Sequence, residues 1–395
     1  MKWSSAVSEN FSLAEAVKEC GRQLHGDLDG VEPDLIIAFV SSHHAAEYES
    51  LPQLVRDNLA DALLIGCSGG GIIGAGREVE QRPGFALTAA VLPDVQLTPF
   101  HIDEDALPDG DAPPDQWEAL LGVKKEAGPH FVILADPFST RGEQLLMGLD
   151  YAFPDSVKIG GLASGANQPG GNSLYLGERT YDSGAVGLAL SGNIAVDSVV
   201  AQGCRPIGDP MQVTSCRRNL LLGLDGRTPF EVLKEVFQGL DERDRELAQN
   251  SLFIGVVMDP FNENPQLGDF LIRNIVGIDA QKGLIAVGEI LKEGQTVQFH
   301  LRDSQTSSQD LDAMLEKYVI GHKPQADSGA LLFQCLGRGA FLYGRADHDT
   351  DMFREKVGAL PLTGFFCNGE IGPVGGSTFL HGYTSSFGIF RPKES

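Results

Sequence analysis

Cys367, Asn368, Gly369, Glu370 and Gly372 stand together in GFFCNGEIGPVGG (364–376), and His381 follows in FLHG. A cysteine and a histidine can act as nucleophile and base. No orienting third group and no oxyanion motif accompanies this pair, so a Cys367-dependent hydrolase or transferase is a secondary reading and no catalytic residue is assigned. Cys335, Cys367 and His381 are also metal-ligand types, but a metal site needs three or four converging ligands and no CxxC spacing is present; no metal is assigned. Arg338 follows Cys335 in QCLGRG, at the end of an apolar run, where a guanidinium can grip a carboxylate with two hydrogen bonds. Arg273 lies inside the apolar stretch FLIRNI, and a cation there needs an anionic partner or a cavity.

The elements that must position these residues recur three times. DLIIAFV (34–40) reads as a buried strand, AAEYESLPQLVRDNLA as a helix, ALLIGCSGGGIIGAG as a strand entering glycines, and GFALTAAVL as another strand. HFVILADPFS, GEQLLMGLDYAF, VKIGGLASGANQPGG and SGAVGLALSG repeat that order. GALLFQCLGRG, the stretch around DTDMFREKVGA with Asp349 as its cap, LTGFFCNGEIGPVGG and HGYTSSFGIF repeat it again. Ile65-Gly66 aligns with Ile159-Gly160, and turn geometry explains the glycines of the first two copies. Strand–helix–strand favours a right-handed crossover and a parallel pair, and a short return adds an antiparallel strand. The expected fold is α/β, with mixed β-sheets and crossover helices, in two associated domains, 1–215 and 216–395. Gly69-x-Gly71-x-x-Gly74 has the form of a dinucleotide fingerprint, but Pro83 and another strand follow where a helix is required.

The formal charge of −24 repels phosphate backbones and anionic membrane surfaces, so neither nucleic acid nor membrane is an expected partner. No run approaches eighteen apolar residues, and the first twenty residues lack a signal-peptide core. Six scattered cysteines suit a reducing, cytoplasmic setting. Cys20 falls on the apolar stripe of a helix opening at Ser12 and Glu15, and reads as core.

FLIRNIVGID, FQCLGRG and above all FFCNGEIGPVGGSTFLHGYTSSFGIF resemble the FIST family, and LLIGCSGGGIIG and KIGGLASG resemble its N-terminal half; the likeness covers roughly residues 30–390. The resemblance implies a paired N- and C-terminal domain that binds small molecules, amino acids or similar compounds, in signal transduction. It implies that Cys335, Arg338, Cys367, Asn368, Gly369, Glu370, Ile371, Gly372 and His381 belong to the ligand site. In that picture Arg338 pairs with a ligand carboxylate, Glu370 accepts from an ammonium, the glycine loop's amides hold an anion, and Phe365, Phe366 and Phe379 form apolar walls. Arg273 completes the candidate set. Cys367, Glu370 and Arg338 are expected to line one cavity. A branch of the family binds haem and senses nitric oxide, so a haem-based nitric oxide sensor is an alternative reading implied by the resemblance, without a matched histidine here; otherwise no cofactor is expected. Neither an F-box-like segment before residue 30 nor an output segment after residue 390 is recognised, so signalling is expected through a partner in trans or by self-association as a homo-oligomer. A protein-interaction scaffold is a further alternative.

Overall fold

The computed structural model describes residues 1–393 apart from 60, 110, 111, 263, 323 and 324. The repeat is longer than its motifs suggest. The first copy runs β1 (Lys2–Ser8), α1 (Leu13–Asp27), β2 (Leu35–Ser41), α2 (Leu51–Leu59), β3 (Leu63–Gly69), a hairpin of β4 (Gly71–Gly74) and β5 (Arg77–Glu80), then β6 (Phe85–Val91). The second runs β7 (Val95–Ile102), α3 (Pro114–Leu121), β8 (His130–Ala135), α4 (Gly142–Ala152), β9 (Lys158–Leu162), the hairpin β10 (Leu174–Leu176) and β11 (Arg179–Tyr181), then β12 (Ala185–Gly192).

The third copy opens with β13 (Ala195–Ala201) and is then interrupted. Six strands follow, β14 (Cys204–Arg217), β15 (Leu220–Leu224), β16 (Leu252–Val257), β17 (Phe270–Asp279), β18 (Leu284–Val287) and β19 (Thr296–Arg302), with α5 (Pro229–Gly239) and α6 (Glu242–Ala248) between β15 and β16. The copy resumes with α7 (Ser304–Gly321), β20 (Gly329–Cys335), α8 (Gly339–Tyr343), α9 (His348–Lys356), β21 (Leu362–Cys367), the hairpin β22 (Glu370–Val374) and β23 (Ser377–His381), and β24 (Ser385–Arg391).

Among the described residues the three copies build three six-stranded sheets, β1-β6-β2-β3-β10-β11, β7-β12-β8-β9-β22-β23 and β13-β24-β20-β21-β4-β5. In each, the strand pair flanking the crossover is parallel and its neighbours are antiparallel. Each glycine-rich hairpin leaves its own copy: the first copy's joins the third sheet, the third's joins the second, and the second's joins the first. This cyclic exchange closes a ring. One continuous core sits inside it, with Phe39, Ile65, Leu134, Ile159, Phe333 and Phe365 drawn from all three copies. Phe39 stacks on Phe365 at 4.9 Å between ring centroids. Outer faces are covered by helices: α1 and α2 on the first sheet, α3 and α4 on the second. Strands buried on both faces read as unbroken apolar runs, as Leu35–Ser41 does.

Register identifies equivalent positions. Ala38 pairs with Gly66, Ile133 with Gly160 and Leu332 with Gly364. These glycines lie within strands, and the reason is close approach rather than the turn geometry expected for the first two copies. A Cβ would stand 2.1, 1.8 and 1.8 Å from the carbonyl oxygens of Ala38, Ile133 and Leu332.

The chain forms two compact units. One comprises residues 1–200, 312–380 and 384–395; the other, residues 201–311 with 381–383. The second is a closed barrel, β14-β15-β18-β17-β16-β19, filled by Ile254, Leu221, Phe299 and their neighbours. The units therefore differ from the sequence division at 215/216. That division falls within β14, the barrel's first strand, and the chain afterwards returns to finish its third repeat. Both halves of a capping box form at Thr228 and Glu231, with Pro229 in the first turn of α5. Cys20 is core, its thiol pushed up to about 12 by burial. Asp349 is not the cap of α9; Asp347 is, in a left-handed conformation at φ 61°. Asp349 is the second residue of the helix, in its first turn, and is a buried ion-pair partner. Among the described residues no helix is long and apolar enough to cross a membrane.

Candidate functional site

The three parallel pairs end at equivalent points, four residues beyond the in-strand glycines, at Gly70, Ser164 and Asn368. A ring of hydrogen bonds ties these ends together. Ser164 donates its backbone N–H to the Ser68 carbonyl at 3.2 Å, and Asn368 donates to Leu162 at 3.1 Å. At the third junction the Ser164 hydroxyl intervenes, accepting from the Gly70 N–H at 2.9 Å and donating to the Phe366 carbonyl. Ser164 thus bridges by its hydroxyl the junction that corresponds to the two backbone contacts.

Above this ring lies an open cleft of about 700 Å³, lined by Pro137, Phe138, residues 164–167, Leu336 and Asn368. Its walls are paired by the repeat. Pro137 and Leu336 each follow the first parallel strand of their copy; Ser164 and Asn368 each follow the second. At the corresponding place in the first copy Gly70 carries no side chain, and a Cβ there would stand 2.7 Å from Leu336 Cδ2. Among the described residues no ionisable side chain lines the cleft. Phe138 and Leu336 are 43% and 42% exposed and offer apolar surface in the cleft.

Of the sequence-derived candidates, Asn368 alone is exposed and on the cleft wall. Its Nδ2 donates to the Ala163 carbonyl at 3.1 Å. Cys335 is half-buried beside it, accepting from Gly337 N–H at Sγ, and is the register partner of Cys367. The strand-end motif and the loop motif are therefore neighbours at these two positions.

Arg338, Cys367 and Glu370 do not line an open cavity, since all three are 0% exposed. The Arg338 guanidinium is already neutralised, with Nε donating to Asp349 at 2.7 Å and Nη2 to the Tyr343 hydroxyl at 2.6 Å. A buried cation must have such a partner, and the fold supplies it instead of a ligand carboxylate. Cys367 Sγ donates to the Phe365 carbonyl at 3.4 Å. Burial, reinforced by Glu370, pushes its thiol well above the ordinary range, the opposite of an activated nucleophile. Glu370 accepts from the Thr384 N–H at 3.1 Å. Gly369 and Gly372 are buried, and Phe365 and Phe366 belong to the core rather than to ligand walls.

Arg273 belongs to the second unit, on β17, where it forms an ion pair with Glu289 at 2.7 Å. His381 is 3% exposed and is grouped with the second unit. No cluster of three or more histidine, cysteine or acidic side chains suited to a metal ion occurs among the described residues.

The cleft residues that sequence reasoning passed over are Pro137, Phe138, residues 164–167 and Leu336. Their signal was positional: each lies in a loop that leaves a parallel strand of the repeat, where α/β sheets present ligand contacts. None of the six cysteines forms a disulfide among the described residues. A maleimide reagent at neutral pH is expected to modify half-buried Cys335 and Cys216 first, and Cys367 only on unfolding. Rapid modification of Cys367 in the folded protein would contradict its burial.

Three crossover units in a ring, an inserted barrel and an uncharged cleft at the strand ends define an α/β architecture suited to holding a small molecule. The chain belongs to the FIST family: the FIST N domain model matches residues 34–227 and the FIST C domain model residues 229–373. The family boundary thus falls inside the barrel region. An uncharacterised protein of Mycobacterium tuberculosis is 34% identical over 392 residues, covering 99% of this chain and 100% of that one. An F-box/LRR-repeat protein of Arabidopsis thaliana is 25% identical over 307 residues, 66% of this chain and 57% of its own. A solved cyanuric acid hydrolase from A. caulinodans covers 99% of this chain and 100% of its own at a TM-score of 0.38 and 7% identity, too slight a likeness to bear on fold or chemistry.

Proposed function

We propose that this protein is a non-catalytic receptor that binds a small molecule in the strand-end cleft and signals through a partner protein or by self-association. FIST domains are associated with small-ligand sensory signalling, which supplies the class of function. The observation that carries the reading is the cleft itself. It is open, of ligand size, and placed where parallel pairs end, while the reactive side chains beneath it are buried and engaged. A cytoplasmic setting suits six cysteines that form no disulfide among the described residues.

The test is a thermal-shift screen of metabolites, since a ligand that binds only the folded state stabilises it, by about 2.7 kcal/mol at one hundred times its Kd. Asn167 is exposed on the cleft wall, so Asn167→Trp should obstruct the cleft without disturbing the core. Ligands that raise the melting temperature of the native sequence are expected to lose most of that effect in Asn167→Trp. Turnover of an ester or amide that disappears in Cys367→Ser would instead support the enzyme reading.

A further inference from the structure

We infer that the ligand is an uncharged molecule that presents an amide- or lactam-type N–H to Asn368 and an apolar body to Phe138 and Leu336. This rests on the cleft being the binding site and concerns what the cleft selects.

The Asn368 side chain is fixed in one orientation. A carbonyl can only accept, so the atom facing Ala163 O at 3.1 Å must be Nδ2. Oδ1 is then the group left to the cleft, a pre-oriented acceptor. The Asn368 backbone is held as well, by its bond to Leu162. A partner for a fixed acceptor must bring a donor. Asn167, with no hydrogen bond to another described residue, offers a second amide on the same wall. Such a carboxamide can both donate and accept, matching the donor–acceptor edge of an amide or lactam.

Charge selection follows from what is missing along the wall. A charged group entering an apolar-walled cleft loses hydration, and only a counter-charge or several strong hydrogen bonds compensate. Among the described residues the lining contains neither a cation nor an anion. Arg338 and Glu370, the groups that would suit a zwitterionic amino acid, are 0% exposed. The net charge of −24 adds a general repulsion of anions. Phe138 and Leu336 then supply the apolar contact that a neutral ring or chain would cover.

The experiment compares two probe sets by ligand-observed NMR and thermal shift on the full chain. The neutral set is 2-pyridone, uracil and nicotinamide; the charged set is glycine, glutamate and succinate. Members of the neutral set are expected to bind, Asn368→Leu is expected to weaken them at least tenfold, and Asn167→Trp to block them. Should Asn368→Leu fail to fold, Asn167→Leu, at an exposed position, is expected to weaken them severalfold. Binding of a charged probe that Asn167→Trp blocks would overturn the ligand class while leaving the cleft as the site. Neutral binding indifferent to Asn368→Leu and Asn167→Leu would overturn the assignment of the amide contacts. Binding of any probe untouched by Asn167→Trp, or of none at all, would overturn the inference together with the cleft.

Discussion

Gly364→Ala is expected to prevent accumulation of the native fold, or to lower its melting temperature by roughly 10 °C or more. The added methyl would stand 1.8 Å from the Leu332 carbonyl oxygen, a backbone atom that cannot swing aside. Relief requires separating β20 from β21 at the centre of the ring, where Leu331, Phe333 and Phe365 are fully buried. A strand shift of that kind in a close-packed core costs several kcal/mol. The equivalent substitution at Gly66 should behave similarly, because a Cβ there meets Ala38 O at 2.1 Å. Gly239→Ala is the control: nothing lies within 4 Å of a Cβ at that helical position, so alanine should be neutral or slightly stabilising. Circular dichroism melts decide. An unperturbed melting temperature in Gly364→Ala would contradict the register on which the threefold equivalence rests.

A second large effect is expected from Glu78, on β5. Its Oε1 accepts from the Asp349 and Thr350 N–H groups at 3.0 and 3.1 Å, at the start of α9. Oε2 has no hydrogen-bond partner among the described residues. Burial, together with the charges of Asp349, Glu80 and Asp347, pushes its carboxyl up to about 8. The folded state therefore keeps a proton that the unfolded chain releases near 4.5. Stability from this group is complete below about 4.5, declines as pH climbs towards 8, and is lost above it. A rise from 4.5 to about 8 corresponds to on the order of 5 kcal/mol. Glu78→Gln keeps an acceptor for the helix amides but cannot ionise. It is expected to flatten the fall in unfolding free energy between pH 5 and 8 and to be the more stable form at pH 8.5. Parallel pH profiles for the two proteins would contradict this account. Asp349 acts in the opposite window. Burial would raise its carboxyl, but Arg338, His348 and Ser385 hold it well below the usual range, so its contribution disappears only in strong acid.

The repeat was legible because each copy buries its strands on both faces and so writes them as apolar runs with a glycine at one register position. The hairpin exchange was not legible. Nothing in GGGIIG or NGEIGPV distinguishes pairing within a copy from pairing with another, since both satisfy the same edge hydrogen bonds. The barrel was not legible either, because its insertion between β13 and α7 depends on long-range pairing. At the site, residue type misled in part. Arg338, Glu370 and Cys367 carry chemistry, and a sequence cannot show that Asp349, Thr384 and Phe365 already engage them. Asn368 was found because it shares their loop. Phe138, Asn167 and Leu336 were passed over because exposure, rather than identity, makes them interesting.

Hydrogen exchange, read by mass spectrometry with and without the strongest stabiliser from the metabolite screen, tests the cleft most directly. Protection concentrated in residues 137–138, 164–168 and 336–337, and absent in Asn167→Trp, is the result this account predicts. Protection confined to other segments, or equal in the variant, would show that the strand-end cleft is not where this protein holds its ligand.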